Sequence, residues 1–287
     1  MPLRNEDKYR VKVIGEPQEV TDIRNKILDT FDNLVFIDEG HKYFLGDKEL
    51  ISVSSFVSQF EEEFDSVQKA IAYAEKNGET PEYWLDQWKF TNLKATVSGT
   101  LVHSYGESLA WLHMGHPENI TDDNKCKYIA DKNWLIPTRI KEEAALKFWN
   151  EFPENMWVVL PETKVYTSAN PNIQYTKNFA GTFDLLVYFK HPTDDSKSGL
   201  IIMDWKTNRE LYKEFSRTNH KMLYYPFNDL YDEPFGGYTI QLSAYHLCLK
   251  DIGLKVLGRR IIWLKDDGTY EIIPTTDKTE IINNIIK

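Results

Sequence analysis

The run from Asn178 to Asn208, NFAGTFDLLVYFKHPTDDSKSGLIIMDWKTN, limits the possible folds more than any other part of the chain. Two segments rich in β-branched and aromatic residues enclose a polar one, which predicts two strands joined by a turn. The first strand carries Asp184 near its start. The second climbs through Leu200, Ile201, Ile202 and Met203 and ends in Asp204, Trp205 and Lys206. Side chains alternate along a strand, so Asp204 and Lys206 point to one face. Two carboxylates and a lysine at the ends of neighbouring strands form a polar cluster on an apolar scaffold. Such a cluster suits a hard divalent cation and a water.

The segments before this hairpin alternate between strand and helix signals. A helix is expected near Val20–Phe31. Short strands follow at Leu34–Phe36, Lys42–Leu45 and Leu50–Val53, with turns at Asp38-Glu39-Gly40 and Gly46-Asp47. Ser54 or Ser55 is expected to cap the next helix, in which Phe56, Val57 and Phe60 recur at helical spacing. The acidic run Glu61, Glu62, Glu63 and Asp65 reads as a solvated helix face, with a metal-attracting patch as the alternative. Residues 66–115 read as helical with a break around Gly78–Pro81. Within them Gly99 permits close approach to a neighbour, and His103 and Glu107 are four residues apart on one face. A loop-rich excursion over 116–136 precedes a helix at Pro137–Asn150, packed through Ile140, Ala144 and Phe148.

From Met156 the pattern turns to strands. A long one over Trp157–Tyr166 contains Glu162. Beyond the hairpin, Arg209, Lys213, Arg217 and Lys221 are each four residues apart. On a helix they would form a basic stripe for phosphate contact; otherwise they are a solvated face or no helix at all. A loop rich in Tyr, Pro and Gly over 222–237 leads to an amphipathic helix at Tyr238–Leu249, with Gln241 and Tyr245 on its polar side. Strands at Arg259–Leu264 and Tyr270–Ile273, a turn at Asp266-Asp267-Gly268 and a helix from Asp277 complete the chain. With 287 residues and no linker, one domain is expected: 1–95 elaborating the core, 96–275 forming it and 276–287 a terminal helix.

Composition narrows the chemistry. Two cysteines, Cys126 and Cys248, rule out a disulfide framework, a four-thiolate zinc site and an all-cysteine iron–sulfur cluster, and they fit a reducing compartment. No apolar run of about 18 residues predicts a membrane span, and the N-terminus MPLRNEDKYR lacks the apolar core of a signal peptide, so the expected location is cytoplasmic. A net charge of −10 argues against a general nucleic-acid coat; a nucleic-acid enzyme would need its cations concentrated locally. No G-x-x-x-x-G-K-[ST] motif is present, so any motor would be a separate partner.

In order along the chain, His103, Gly181-Thr-Phe-Asp184, Asp204-Trp-Lys206 and Gln241-x-x-x-Tyr245 resemble the motifs of the PD-(D/E)xK nuclease superfamily, and of its RecB-type branch with phage exonucleases in particular. The likeness spans roughly residues 95–265; the stretch His41–Phe60 is also similar to phage members. The resemblance implies a restriction-endonuclease-like α/β core, a central mixed β-sheet flanked by helices, with a helical N-terminal elaboration. It implies a DNA nuclease acting on ends or single strands in phage or bacterial replication, recombination or repair, in the host cytoplasm if phage-encoded. Its partners would be DNA and a separate helicase or recombination protein. Asp184, Asp204 and Lys206 take the catalytic roles. His103, Asp184, Asp204 and the Trp205 carbonyl take the metal, Mg²⁺ or Mn²⁺, with the imidazole suiting Mn²⁺ better. Glu162 becomes an outer-shell residue, Glu107 a weaker one, and Thr207, Gln241 and Tyr245 support the lysine or contact DNA. The branch often has Glu where Asp204 stands. A non-catalytic DNA-binding or assembly protein that keeps the fold is the alternative, and a nuclease for RNA or a purely structural role stays open.

Overall fold

The computed structural model describes residues 10–120 and 132–287, with the first residues of the 132–150 helix by backbone alone. Met1–Tyr9, Cys126 and the middle of the expected 116–136 excursion lie outside the described residues. An eight-stranded mixed sheet runs through the molecule, and helices flank it.

Helix α1 (Gln18–Phe31) packs on the sheet through Val20, Ile27 and Phe31. Strands β1 (Leu34–Ile37), β2 (Lys42–Leu45) and β3 (Lys48–Ser52) form an antiparallel meander. The last strand stops at Ser52 because Val53 opens the short helix α2 (Val53–Ser58). Its cap is Ser52, whose Oγ accepts the Ser55 N–H at 3.0 Å, so the capping serine lies earlier than the expected Ser54 or Ser55. The acidic run after α2 is a connection and not a helix face: Glu62 pairs with Lys221, and Asp65 caps α3 (Ser66–Asn77). Gly78 closes α3 in the left-handed region at φ 80°, where a side chain is disfavoured. Thr80 then caps α4 (Pro81–His113), which has proline at its first turn.

Helix α5 (Lys132–Asn150) starts ahead of Pro137 and buries Ala144 and Phe148, while Ile140 is half-buried. Strand β4 (Met156–Tyr166) pairs along β5 (Phe179–Phe189), and β6 (Gly199–Lys206) pairs with β5 and with β7 (Val256–Leu264). Strand β8 (Tyr270–Pro274) closes that edge, and α8 (Thr279–Ile286) ends the chain.

Between β6 and β7 the structure decides between two alternatives and overturns one expectation. Arg209, Lys213, Arg217 and Lys221 do not share a helix: only Glu214–Thr218 is helical, as α6. The local reason is carboxylate competition. Arg217 forks onto the nearly inaccessible Glu233 at 2.8 Å, and Lys221 lies between Glu62 at 2.7 Å and Asp232 at 3.0 Å. Helix α7 (Pro234–Asp251) begins within the expected loop, and it is not amphipathic. It is buried nearly all round, because α2, α8 and the sheet enclose it. Two apolar cores result, one joining α1, α2, α7 and α8 to the sheet, the other joining α4 and α5 to the opposite side of β5 and β6.

Candidate metal and phosphodiester site

The registers open the sheet at one place. On one edge of β5, β3 pairs in parallel with Phe179 and Ala180, and β6 pairs antiparallel from Leu185 onward. Residues 181–184, the Gly-Thr-Phe-Asp segment, lie in the gap between them. Asp184 is thus mid-strand, not near the start, and it and Asp204 are the first residues past the Leu185–Met203 pair. Where the β5–β6 ladder stops, the Asp184 side chain takes over, its Oδ2 accepting the Trp205 N–H at 2.7 Å.

Close packing brings two helices to this gap. A Cβ on Gly106 would lie 3.0 Å from the Trp205 indole, so the missing side chain lets α4 settle onto β6. His103, one turn earlier, then reaches Asp184, with Nδ1 3.2 Å from Oδ1. A Cβ on Gly181 would lie 2.7 Å from Cε1 of Tyr245, so the strand admits the α7 tyrosine for the same reason. Gln241 Nε2 donates to the Tyr245 hydroxyl at 3.0 Å, and Lys206 Nζ approaches Gln241 Oε1 at 3.4 Å. The ammonium also stands 4.2 Å from the Tyr238 ring centre and forms an ion pair with Asp204 Oδ2. Asp204 is 1 % exposed, and this oxygen accepts no aligned hydrogen bond among the described residues.

Glu162 completes the group. It sits between the pairs Pro161–Leu185 and Thr163–Phe183 at a left-handed φ of 42°, a strained conformation for a non-glycine residue inside a strand. One ligand atom each from His103, Glu162 and Asp184 lie within 4.8 Å of one another. The site therefore gathers Glu162 into the group that could hold a metal, closer than the outer position expected for it, and sets Asp204 beside the lysine. Trp205 offers Asp184 its N–H, while its ring is buried against Phe148.

Electrostatics follow from crowding carboxylates in a buried place. Burial and the Asp184 charge push the Glu162 carboxyl well above its ordinary range, with His103 offsetting only part. Burial also pushes Asp184 up, but the His103 charge and hydrogen bond, Lys206 and the Trp205 amide outweigh it and leave Asp184 lowered. Asp204 is raised to about 6 by burial and by Asp184, against Lys206. Burial lowers His103, yet Asp184 prevails and lifts it to about 9. For Lys206 burial is likewise overcome, chiefly by Asp204, and the ammonium is held charged.

These groups form the floor of a cleft of about 860 Å³. Sequence reasoning missed part of its lining: Phe36, His41 and Tyr43 from the β1–β2 hairpin, Lys164, and Thr182. Period-two alternation from Glu162 and Asp184 signals Lys164 and Thr182; nothing local signals the hairpin. Thr207 abuts α4, its Oγ1 3.4 Å from where a Gly99 Cβ would stand, and its carbonyl accepts from Lys141. Arg209 and Lys213 are exposed; they and Arg217 and Lys221 are absent from the cleft lining. Among the described residues no helix is long and apolar enough to cross a membrane. No protein-family model and no curated protein matches the sequence.

Proposed function

We propose that this protein is a metal-dependent DNA nuclease of the PD-(D/E)xK kind, using Mg²⁺ or Mn²⁺ on DNA ends or single strands. The observation that carries the reading is the convergence of His103, Glu162 and Asp184 on one point, with Lys206 in the same cleft. One imidazole nitrogen and two carboxylate oxygens fit a divalent cation. The raised Glu162 carboxyl shows negative charge crowded together that a cation would relieve. A cation bound there supplies Lewis-acid stabilisation of phosphoryl oxygens and lowers the pKa of a water.

The chain's own groups do the rest. His103 and the Trp205 amide orient Asp184. Asp204, Gln241 and the Tyr238 face fix the Lys206 ammonium, which is charged at neutral pH and can neutralise a phosphate oxygen or orient a water. Tyr245 holds Gln241 in place.

The decisive assay compares linear, nicked, circular single-stranded and supercoiled DNA in Mn²⁺. Loss of linear DNA alone marks an exonuclease; loss of circular forms marks an endonuclease. Lys206→Ala and Asp204→Ala should abolish either activity while near-UV circular dichroism stays that of the parent. Equal degradation by parent and variants would assign the activity to a contaminant and end the proposal.

A further inference from the structure

We infer that the outer wall of the cleft is a base-stacking subsite that selects an unpaired nucleotide beside the scissile phosphate; this rests on the nuclease reading above. Phe36, His41 and Tyr43 line the same cleft as His103 and Asp184, and their rings form a closed triangle. Centroids are 5.0 Å apart for Phe36–His41, 4.9 Å for Phe36–Tyr43 and 5.7 Å for His41–Tyr43. Tyr43 anchors the set: it is buried, and its hydroxyl lies 3.1 Å from Oγ1 of Thr182, two residues before Asp184 on the same strand. The ring cluster is thereby tied to the strand that carries the proposed metal ligand.

His41 is the outermost ring. It is exposed, and its backbone is held at φ 52°, a conformation that a histidine adopts at a cost. Hydrogen bonding of its N–H to the Asp38 carbonyl at 3.1 Å fixes the turn. In the fold its ring meets Phe36 and Tyr43 edge-on, while glycine at this position would be unstrained. A ring presented at the mouth of a phosphate-chemistry cleft offers a π-face to a base, and every base has one. Lys164 stands on the same side, exposed and held by a 3.0 Å bond to the Leu34 carbonyl, where it can meet the backbone of the strand. The cleft lining also includes the small residues Ala95, Thr96 and Gly99 of α4. In a duplex both faces of a base are covered by its neighbours, so only an unpaired or frayed nucleotide can use the rings.

The test uses the full chain in chelator, so that nothing is cut. Three fluorescent probes of equal length are titrated: an oligothymidylate, an abasic deoxyribose-phosphate oligomer and a blunt duplex. The parent should hold oligothymidylate about tenfold more tightly than the abasic oligomer. His41→Gly, which relieves backbone strain and preserves the fold, and Phe36→Leu should each shrink that preference and leave abasic binding unchanged; His41→Phe should keep it. Equal weakening of both single-stranded probes by His41→Gly, or parent binding that ignores the base, would overturn the subsite while Mn²⁺-dependent cleavage persisted. Absence of binding to every probe together with absence of cleavage would overturn the nuclease reading and the subsite with it.

Discussion

His103 and His246 sit on helices that flank one sheet, both amid charged groups, and their surroundings push them in opposite directions. Burial and the Arg259 guanidinium outweigh Asp277 and lower His246 to about 4, so the ring is neutral. Its Nδ1 lies 2.6 Å from Arg259 and 3.0 Å from the Thr279 hydroxyl, while Arg259 also reaches Asp277 at 3.2 Å. This knot ties α7 and β7 to the start of α8, and its charges balance. At His103 the carboxylates Asp184, Glu162 and Asp204 stand against one imidazole and one ammonium, beside an open cleft. A charged cluster whose opposite charges pair is architecture. One left crowded with like charge and open to solvent is a place for something from outside.

The strongest way to break this contrast is to neutralise one member of each cluster. Asp184→Asn should lower Mn²⁺-dependent cleavage by at least about a hundredfold with the fold retained. Arg259→Ala should leave turnover per folded molecule unchanged and lower stability by about 3 kcal/mol, since it strips the partner from a buried network. Urea melts and initial rates on both variants check this; an active Asp184→Asn, or an Arg259→Ala inactive while folded, would dissolve the distinction.

Titration sharpens it next. His246, and His113 between Trp149 and Phe152, both have folded values near 4, below the unfolded 6.5. Their contribution is therefore present above pH 6.5 and lost as pH falls toward 4, by roughly 1–3 kcal/mol each. His103, raised to about 9, works the other way in metal-free protein: its contribution is full below 6.5 and lost as pH rises through 9. With 29 % of that side chain open to the cleft, the alkaline limb is the shallower. Urea midpoints against pH in chelator should show both limbs, and His246→Leu should shrink the acid one by its own share, leaving that of His113 and the alkaline limb in place.

Smaller still, Glu162→Gln should stabilise the metal-free protein by about 1 kcal/mol, a rise of about 2–4 °C in Tm, because one of the crowded carboxyls is gone. The same change should erase the Tm gain that Mn²⁺ gives the parent. Last in its effect on cleavage, Arg217→Ala should leave activity intact, since the residue serves Glu233 and not the cleft, while the loss of that buried carboxylate's partner should cost about 1–3 kcal/mol. A cleavage defect there would restore the basic stripe as a functional surface.

Much of this was legible in the residues. Runs of β-branched and aromatic residues placed β4 through β8, Gly78 and Pro81 marked the α3–α4 break, and Asp204 and Lys206 stood out at a strand end, whereas Asp184, expected near the start of its strand, lies in the middle of β5. The four-residue spacing of Arg209, Lys213, Arg217 and Lys221 misled because a spacing shows what a helix would align, not whether one forms. Glu233 and Asp232, distant in sequence from Arg209, recruited the last two cations. Helix α7 misled likewise: Gln241 and Tyr245 look like the polar side of an amphipathic helix, yet α7 is buried nearly all round, and these two residues line the cleft, Gln241 half-buried and Tyr245 buried.

The sequence by itself determined the strand and helix periods, the count of two cysteines, too few for a four-cysteine centre within this chain, and the chemical types available to a site, since these depend on local order and composition alone. Only the tertiary structure decided that β3 and β6 leave 181–184 uncovered, that Gly106 and Gly181 draw α4 and α7 in, that Glu162 joins His103 and Asp184, and that a hairpin from residues 34–45 supplies the cleft's aromatic wall. Register and close approach are relations between segments far apart in the chain, and no local pattern encodes them.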